Sequence, residues 1–178
     1  MDRHIALLRG INVGGKNRIP MSELRDALAA SGFEDVRTLL ASGNVVLSSR
    51  KGADALARAC EAVIEDRFGL EIAVVTRTRA QLAAIVRRDP FGDVATDPRR
   101  YQVTFLDSKL SASVADKLAS LALAGEQLVV HGREVYTWHP DGVGRSKLAG
   151  ALAARSLGVT ATARNWATLG KLLALAGG

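Results

Sequence analysis

Apolar residues in the first half of the chain alternate between strand-like and helix-like spacing. The run His4–Leu8 predicts a central strand, and apolar residues three and four positions apart predict amphipathic helices. In chain order the pattern predicts strand His4–Leu8, a helix with Met21, Leu24 and Leu28 on one face, strands Val36–Ala41 and Asn44–Ser48, helix Ala53–Phe68 and strand Glu71–Thr76. This β-α-β-β-α-β order is that of a ferredoxin-like subdomain, which predicts a four-stranded antiparallel sheet with both helices on one face.

The second half of the chain repeats a similar order of predicted elements. A helix opens at Thr78, with Gln81 completing a capping box, and the segment Asp89–Arg100 is typical of a surface linker. The pattern then predicts strand Tyr101–Leu106, helix Ser111–Leu123, strands Gln127–His131 and Glu134–Trp138, helix Ser146–Leu157, a short strand Val159–Ala163 and a last helix capped by Asn165. The halves share this order without evident residue-level similarity, so the sequence indicates a topological repeat alone.

These elements predict an α+β protein of two subdomains. Residues 1–77 form the ferredoxin-like subdomain, residues 78–100 a helix and linker, and residues 101–178 a second α+β subdomain with the C-terminal helix. A chain of 178 residues buries about 70% of its unfolded surface on folding. Its 48% of hydrophobic residues therefore suffice for a core without disulfides or metals.

The chain is basic, with 24 Lys and Arg residues against 18 Asp and Glu residues and a formal net charge of +6. Such a charge attracts anionic partners at long range. The abundance of Arg and Ala is explained equally well by genome composition, however, and no block of Lys and Arg with interleaved aromatic residues is present. Charge alone therefore gives little support to nucleic-acid binding.

Several functional classes have no support in the sequence. Cys60 is the one cysteine, so an intramolecular disulfide is excluded, and its helical spacing with Leu56 and Ile64 predicts a buried, unreactive thiol. No Cys and His residues have zinc-site spacing, and no metal or other cofactor is predicted. Because no apolar run approaches the roughly 18 residues of a membrane span and no signal peptide opens the chain, we expect a cytoplasmic protein.

The strongest local signal is a glycine-rich loop between the first strand and the first helix. Its candidate anion-binding residues are Arg9, Asn12, Gly14, Gly15, Lys16 and Asn17. Successive backbone N–H groups in such a loop can form an anion-binding nest, and Lys16 and Arg9 add charged donors. The spacing is not that of a Walker A or Gly-x-Gly-x-x-Gly motif. The alternative is a tight connection whose glycines only turn the chain, and the loop alone favours neither.

A second segment, Ser42-Gly43-Asn44, joins two predicted strands and is typical of a hairpin turn. In a β-α-β-β-α-β sheet the first and third strands are antiparallel neighbours. We therefore expect Asn44, at the start of the third strand, to lie near Arg9 at the end of the first. Ser42 and Asn44 join the candidate anion site on this argument.

Two segments in the second half are further candidate anion sites. Ser146 is placed to cap a helix between Arg145 and Lys147, and cations at a helix N-terminus are unfavourable for the helix dipole. Arg164 precedes Asn165, the predicted cap of the last helix, and offers another donor. An anion bound at either helix start would explain the cations there.

Together these segments resemble the recurring motifs of the DUF1697 family of uncharacterised bacterial proteins. The resemblance is carried by Arg9–Asn17 with Met21 and Leu24, by Ser42–Val45, by Pro140–Leu148, and by Arg164-Asn165-Trp166 with Thr168. It extends from Ile5 to about Leu173 and implies an α+β fold with a ferredoxin-like half. It implies no activity, cofactor or catalytic residue. Family members often carry a tyrosine before Ser-Gly-Asn, a position where this chain has Ala41.

Three functional hypotheses follow, and none of them includes an oligomeric state. The first is a protein that binds a phosphorylated or otherwise anionic ligand, a nucleotide or RNA, in a cleft between the subdomains. The second is an enzyme acting on a small phosphorylated or carboxylated metabolite, with Lys16 or Arg164 stabilising charge. Its base would be His139 or Asp141, although His139 is better explained as an exposed turn residue. The third is that the motifs are purely structural.

Overall fold

The computed structural model describes all 178 residues, which divide into two compact units. Unit 1 contains residues 1–84 and 171–178, and unit 2 contains residues 85–170. Each unit is an α+β structure built on one four-stranded antiparallel sheet, as predicted. The domain boundaries predicted after residues 77 and 100 stay a prediction. No helix is both long enough and apolar enough to cross a membrane.

Unit 1 has the predicted β-α-β-β-α-β order. Its elements are β1 (Asp2–Leu8), α1 (Met21–Ala30), β2 (Glu34–Leu39), β3 (Asn44–Ser49), α2 (Ala53–Phe68) and β4 (Val74–Thr78), followed at once by α3 (Arg79–Arg88). The sheet order is β2-β3-β1-β4, with antiparallel neighbours throughout. Because β1 and β3 are the central pair, the segment that follows β1 and the segment that precedes β3 lie at the same end of the sheet.

The helix-facing side of this sheet forms the core of unit 1. Alternate residues of β1 and β3 point to that side, since side chains along a strand alternate between its two faces. The buried cluster includes Ala6, Leu8, Val45 and Leu47 from the strands and Leu24, Leu28, Leu56, Cys60 and Ile64 from the helices. The amphipathic spacing of α1 and α2 is therefore explained by one shared hydrophobic interface.

Cys60 belongs to this core and is 1% exposed. Burial, with a smaller contribution from the neighbouring Glu61, raises the pKa of the Cys60 thiol to about 12. A thiol in this state carries no thiolate near neutral pH, so the prediction of a buried, unreactive cysteine is confirmed.

Unit 2 repeats the architecture with a shorter first connection. Its elements are β5 (Tyr101–Leu106), α4 (Ala112–Ser120), β6 (Gln127–His131), β7 (Glu134–Trp138), α5 (Lys147–Ala153), a 3₁₀ turn (Arg155–Leu157), β8 (Ala161–Asn165) and the start of α6 (Trp166–Gly177), whose residues from 171 onward belong to unit 1. The sheet order β6-β7-β5-β8 is the counterpart of that in unit 1. The hairpin of β6 and β7 has the predicted bounds.

The helix predicted at Ser146–Leu157 is interrupted. α5 ends because Ala154 adopts an extended conformation, with ψ at 143°, and the 3₁₀ turn follows. Leu157 in that turn is buried and packs against the core of unit 2. The run of small and apolar residues does not reveal this break, because every one of them also fits a continuous helix.

Strands β4 and β8 both begin and end later in the chain than the predicted Glu71–Thr76 and Val159–Ala163. In each case the last strand residue is also the cap of the next helix: Thr78 caps α3 and Asn165 caps α6. The strand therefore runs into the helix without a loop. The sequence pattern predicts the starts of α3 and α6 correctly, but it does not reveal that β4 and β8 extend as far as these helix starts.

Candidate functional site

The glycine loop, residues 9–20, closes as a miniature hairpin. The Lys16 amide donates to the carbonyl oxygen of Val13 at 3.0 Å, and Gly14 and Gly15 between them have φ values of 58° and 75°. Two consecutive positive φ values define a turn of the I′ type, which glycine adopts without strain. A Cβ at either glycine would meet no atom within 4 Å. The glycines are thus required by backbone conformation and leave open space beside the turn.

Asn12 fastens this loop to the turn between β2 and β3. Its side-chain Nδ2 donates to the carbonyl oxygens of Ala41 at 2.8 Å and Ile19 at 3.0 Å, and its Oδ1 accepts from the Ile19 amide at 2.9 Å. Asn17 adds a bond from its Nδ2 to the Gly10 carbonyl at 3.0 Å. Both predicted amides are therefore occupied by backbone groups and hold the loop in shape.

The turn before β3 lies beside the glycine loop. This agrees with the expectation, drawn from the strand order, that Asn44 lies near the end of β1. Asn44 pairs with Leu7 in the register of β1 and β3. The Asn44 side chain is fully buried and donates to the Leu39 carbonyl and to the Ser42 hydroxyl. Ser42 and Asn44 thus fix the shape of the turn, which differs from the predicted hairpin by having four residues, 40–43, between the strands.

A pocket of about 440 Å³ opens beside the loop, entirely within unit 1, and we call it the loop pocket. It is lined by Asn12, Gly15, Arg18, Ile19, Pro20, Met21 and Ala41. Its volume lies in the range of roughly 300–1,000 Å³ that small-molecule sites occupy, but it is an open depression, since Gly15, Arg18, Pro20 and Ala41 in its lining are exposed. Arg18 is the one charged side chain in the lining. Arg18 is not among the residues that the motifs predicted, although it stands two residues from Lys16 in the same cationic segment.

The electrostatic surroundings of the loop pocket are positive. The segment 9–22 carries Arg9, Lys16 and Arg18 and no carboxylate. Lys16 and Arg18 are exposed and form no ion pair. The next acidic residue, Glu23, is held by Arg67 at 3.1 Å. A negative ligand entering this pocket would meet cations and no competing acidic group.

The start of α1 forms one side of the loop pocket. Pro20 is the N-cap of this ten-residue helix, and no side chain caps its first turn. The N–H groups of a first helical turn carry partial positive charge, and here no side-chain cap accepts from them, although the Glu23 carboxylate, paired with Arg67, lies in the same turn. The pocket therefore combines side-chain cations with backbone donors.

His139 is not the exposed turn residue that the sequence favoured. It is 1% exposed, its Nδ1 lies 2.7 Å from the Glu126 carboxylate, and its Nε2 lies 2.9 Å from the Thr137 hydroxyl. Glu126 also accepts from the Ser146 hydroxyl and from the Leu123 amide. Both ring nitrogens are occupied and solvent is excluded, so this buried network is a structural clamp rather than an accessible base.

The predicted α5 site is divided between one structural residue and two exposed cations. Ser146 is the N-cap, and its Oγ accepts from the Ala149 amide at 3.0 Å. Arg145 and Lys147 are exposed and form no hydrogen bond or ion pair through their side chains. With only seven residues, α5 has a small dipole.

Arg164 and Asn165 are likewise structural in position. Arg164 precedes the cap of α6 as predicted, but it also lies inside β8. It is 7% exposed, and its Nη1 donates to the Thr162 hydroxyl at 2.7 Å and to the Ala163 carbonyl at 2.8 Å. Burial lowers the pKa of its guanidinium to about 10. Asn165 caps α6 through a bond from the Thr168 amide at 2.9 Å.

Known proteins resemble the chain in family and in fold. The family model described as "Protein of unknown function (DUF1697)" matches residues 1–136. None of the curated proteins matches the chain. The solved structure of the conserved bacterial protein SP0830 from Streptococcus pneumoniae is similar, with a TM-score of 0.79, 24% sequence identity and coverage of 98% of each chain. At this identity the likeness shows the fold alone.

Proposed function

Because the chain belongs to the DUF1697 family, whose members are described only as proteins of unknown function, we propose a function from the geometry of unit 1. Unit 1 binds a small anionic ligand, bearing a phosphate or carboxylate group, in the loop pocket. The observation that carries this proposal is the lining of that pocket. Its one charged side chain is Arg18, a cation without an ion-pair partner.

Lys16 and the first turn of α1 support the same assignment. Lys16 lies in the turn next to Gly15, which lines the pocket, and it too lacks a carboxylate partner. Charge-assisted hydrogen bonds from Arg and Lys to phosphate are among the stronger polar interactions in proteins. Backbone N–H groups at the uncapped start of α1 would add donors to an anion bound nearby.

Backbone strain around the loop pocket gives independent support. Five residues other than glycine have positive φ, and three of them flank this pocket: Asn12 at 54°, Asn17 at 49° and Leu40 at 59°. Asparagine tolerates this conformation, but for leucine it costs roughly 1–2 kcal/mol. Strain of this kind tends to accumulate where a ligand site must keep its shape.

The asparagines, serines and Arg164 have smaller parts in this proposal than the sequence suggested. The side-chain amides of Asn12, Asn17 and Asn44 already donate to backbone carbonyl oxygens and, for Asn44, to the Ser42 hydroxyl. The purely structural hypothesis is favoured for these side chains. The ligand is assigned to Lys16, Arg18 and the open face of the Gly14–Gly15 turn.

A small ligand is favoured over RNA because the loop pocket contains one cation and no aromatic side chain. Single-stranded RNA is usually held by stacking of its bases on aromatic rings along an extended basic surface. RNA binding would also show an affinity that falls steeply with salt, since several counterions are released. A shallow salt response agrees with the small-ligand proposal, and a steep response with tight RNA binding would contradict it.

The proposal is tested by titrating isotope-labelled protein with inorganic phosphate and following backbone amide shifts. We expect saturable shifts at Gly15, Arg18 and Met21, and at least tenfold weaker binding in the double variant Lys16→Gln with Arg18→Gln. Lys51→Gln is the matched control, because Lys51 is an exposed, unpaired lysine of unit 1 outside the loop. Shifts scattered over the surface, or equal losses in the control, would overturn the proposal.

A further inference from the structure

The lining of the loop pocket indicates the chemical character of the ligand beyond its anionic group. Four of the seven lining residues are apolar: Ile19, Pro20, Met21 and Ala41. Gly15 contributes backbone only, and Arg18 contributes the charge. From this division we infer, on the basis of the proposed function, that the ligand is an amphiphilic anion: an anionic group joined directly to a compact apolar body, rather than a polar sugar phosphate.

A polar body would find few hydrogen-bond partners in this pocket. The one neutral polar side chain in the lining is Asn12, and three backbone contacts already occupy both its donor and its acceptor atoms. Hydroxyl groups of a sugar or glycerol that face the lining would therefore lose bonds to water without gaining replacements from Asn12. Burying a polar group without a partner is unfavourable, which selects against such ligands.

An apolar body has the opposite balance. It would release water from the surfaces of Pro20, Met21 and Ala41, since Ile19 is already 1% exposed, and the gain is about 0.8 kcal/mol for each buried CH₂ group. That corresponds to about a fourfold gain in affinity for each group. A volume of about 440 Å³ accommodates a phosphate with an attached chain or ring of several carbon atoms. The positive charge of Arg18 in the same lining fixes the anionic end.

Four probes with one anionic group separate the contributions. Inorganic phosphate reports the charge alone, glycerol 1-phosphate adds a polar body, and n-butyl phosphate and phenyl phosphate add apolar bodies. We expect n-butyl phosphate to bind at least tenfold more tightly than glycerol 1-phosphate, which has a similar size. We expect phenyl phosphate to show the same preference, with shifts at Gly15, Arg18 and Met21.

Variants of the wall and of the cation give different signatures. Met21→Gln keeps the length of the side chain, and we expect it to remove most of the preference for the apolar body, measured as the ratio of the n-butyl phosphate and glycerol 1-phosphate affinities within the variant. Arg18→Gln should weaken all four probes together. Since Met21 also packs against the core of unit 1, Ala41→Ser, at an exposed position, is the second wall variant and should reduce the preference about twofold or more.

The outcomes distinguish the two proposals. If no probe binds in the loop pocket, the proposed function fails and this inference fails with it. If all four probes bind there with equal affinity, or if glycerol 1-phosphate binds more tightly, the proposed function stands and the amphiphilic ligand is overturned. A preference for the apolar bodies that survives unchanged in both wall variants would also overturn it.

Discussion

Arg77 and Arg164 occupy equivalent positions in the two sheets. Each is the fourth residue of the last strand of its unit, and each donates from Nη1 to the carbonyl oxygen of the preceding residue at 2.8 Å. Each pairs with the first strand of its sheet, Arg77 with Ile5 and Arg164 with Val103. Both side chains are buried. Both sheets therefore have a buried arginine at the same position of the last strand, with the same bond to the preceding carbonyl oxygen.

The equivalence extends past the arginines. Thr78 and Leu82 have their counterparts in Asn165 and Leu169 at the same separation of 87 residues, the first of each pair as a helix cap and the second buried. The sequence alone indicated only a topological repeat, because the two units have connections of different length and no single offset aligns all their strands and helices. The glycine loop has twelve residues between β1 and α1, whereas the matching connection of unit 2 has five. The loop pocket is thus built from a segment that unit 2 lacks.

The buried arginines are expected to be structural. Arg164→Ala removes at least the bonds to Thr162 and Ala163 and leaves a cavity in unit 2, and we expect it to lower the free energy of unfolding by about 2–4 kcal/mol. Arg77→Ala should have a similar effect, measured by urea unfolding. Arg50→Ala, at an exposed position, is the control and should change stability by less than about 0.5 kcal/mol. Weaker phosphate binding with unchanged stability in Arg164→Ala would instead assign that side chain to a ligand.

Gly43 is expected to tolerate no side chain. Its φ is +86°, and a Cβ would lie 2.8 Å from the Leu8 Cβ and 2.9 Å from the Ile11 side chain. Gly43→Ala should therefore destabilise the protein by about 2–4 kcal/mol, since it adds a steric clash to backbone strain. Gly14→Ala has a similar positive φ but open space around it, and about 1 kcal/mol is expected. Equal losses in thermal or urea unfolding would mean that strain alone decides both.

Asn12 is expected to be the main fastener of the glycine loop. Asn12→Ala removes three hydrogen bonds to backbone atoms, and we expect a loss of about 1–3 kcal/mol in urea unfolding. Asn17→Ala also places alanine at a positive φ but removes only one exposed bond, so it should cost less than Asn12→Ala. Hydrogen exchange should show faster opening at Ile19 in the first variant alone. Retained protection at Ile19 would contradict the assigned role of Asn12.

The helices and strands could be predicted from local sequence signals, whereas most features of the candidate site could not. Helix α2 had its predicted bounds, Ala53–Phe68, because its apolar spacing and the glycine that follows it are local signals. The neighbourhood of Asn44 and the glycine loop followed from strand order. The fully used donors of Asn12 and the single charged wall residue Arg18 depend on how the loop closes on itself. The signs of its φ angles decide this closure, and residue types alone do not fix them.

His4 is expected to weaken the native state. It is 3% exposed, and neither ring nitrogen has a hydrogen-bond partner. A buried polar group without a partner costs roughly 1–3 kcal/mol, so His4→Leu should raise the free energy of unfolding by about 1 kcal/mol at neutral pH. The exposed His131→Leu is the comparison and should leave stability nearly unchanged. A loss of stability in His4→Leu would show that the ring has a bonding role.

Glu126 is expected to make the stability of unit 2 depend on pH. Burial alone would raise the pKa of Glu126, but hydrogen bonds from Ser146, His139 and the Leu123 amide outweigh it and hold the pKa below its ordinary value of 4.5. A carboxyl group whose pKa is lowered on folding contributes stability that is fully present above its unfolded pKa. That contribution is lost as the pH falls through the lower, folded pKa.

Glu126→Gln should remove this dependence, because glutamine does not titrate. We expect the difference in unfolding free energy between the wild-type protein and Glu126→Gln to be largest near pH 6 and to shrink between about pH 5 and pH 3. Urea unfolding at several pH values measures it, and Glu65→Gln, at an exposed site without an ion pair, provides the control. A difference that stays constant across this interval would mean that packing, rather than the charge on Glu126, accounts for its effect. A difference that grows toward pH 3 would reverse the sign of the shift.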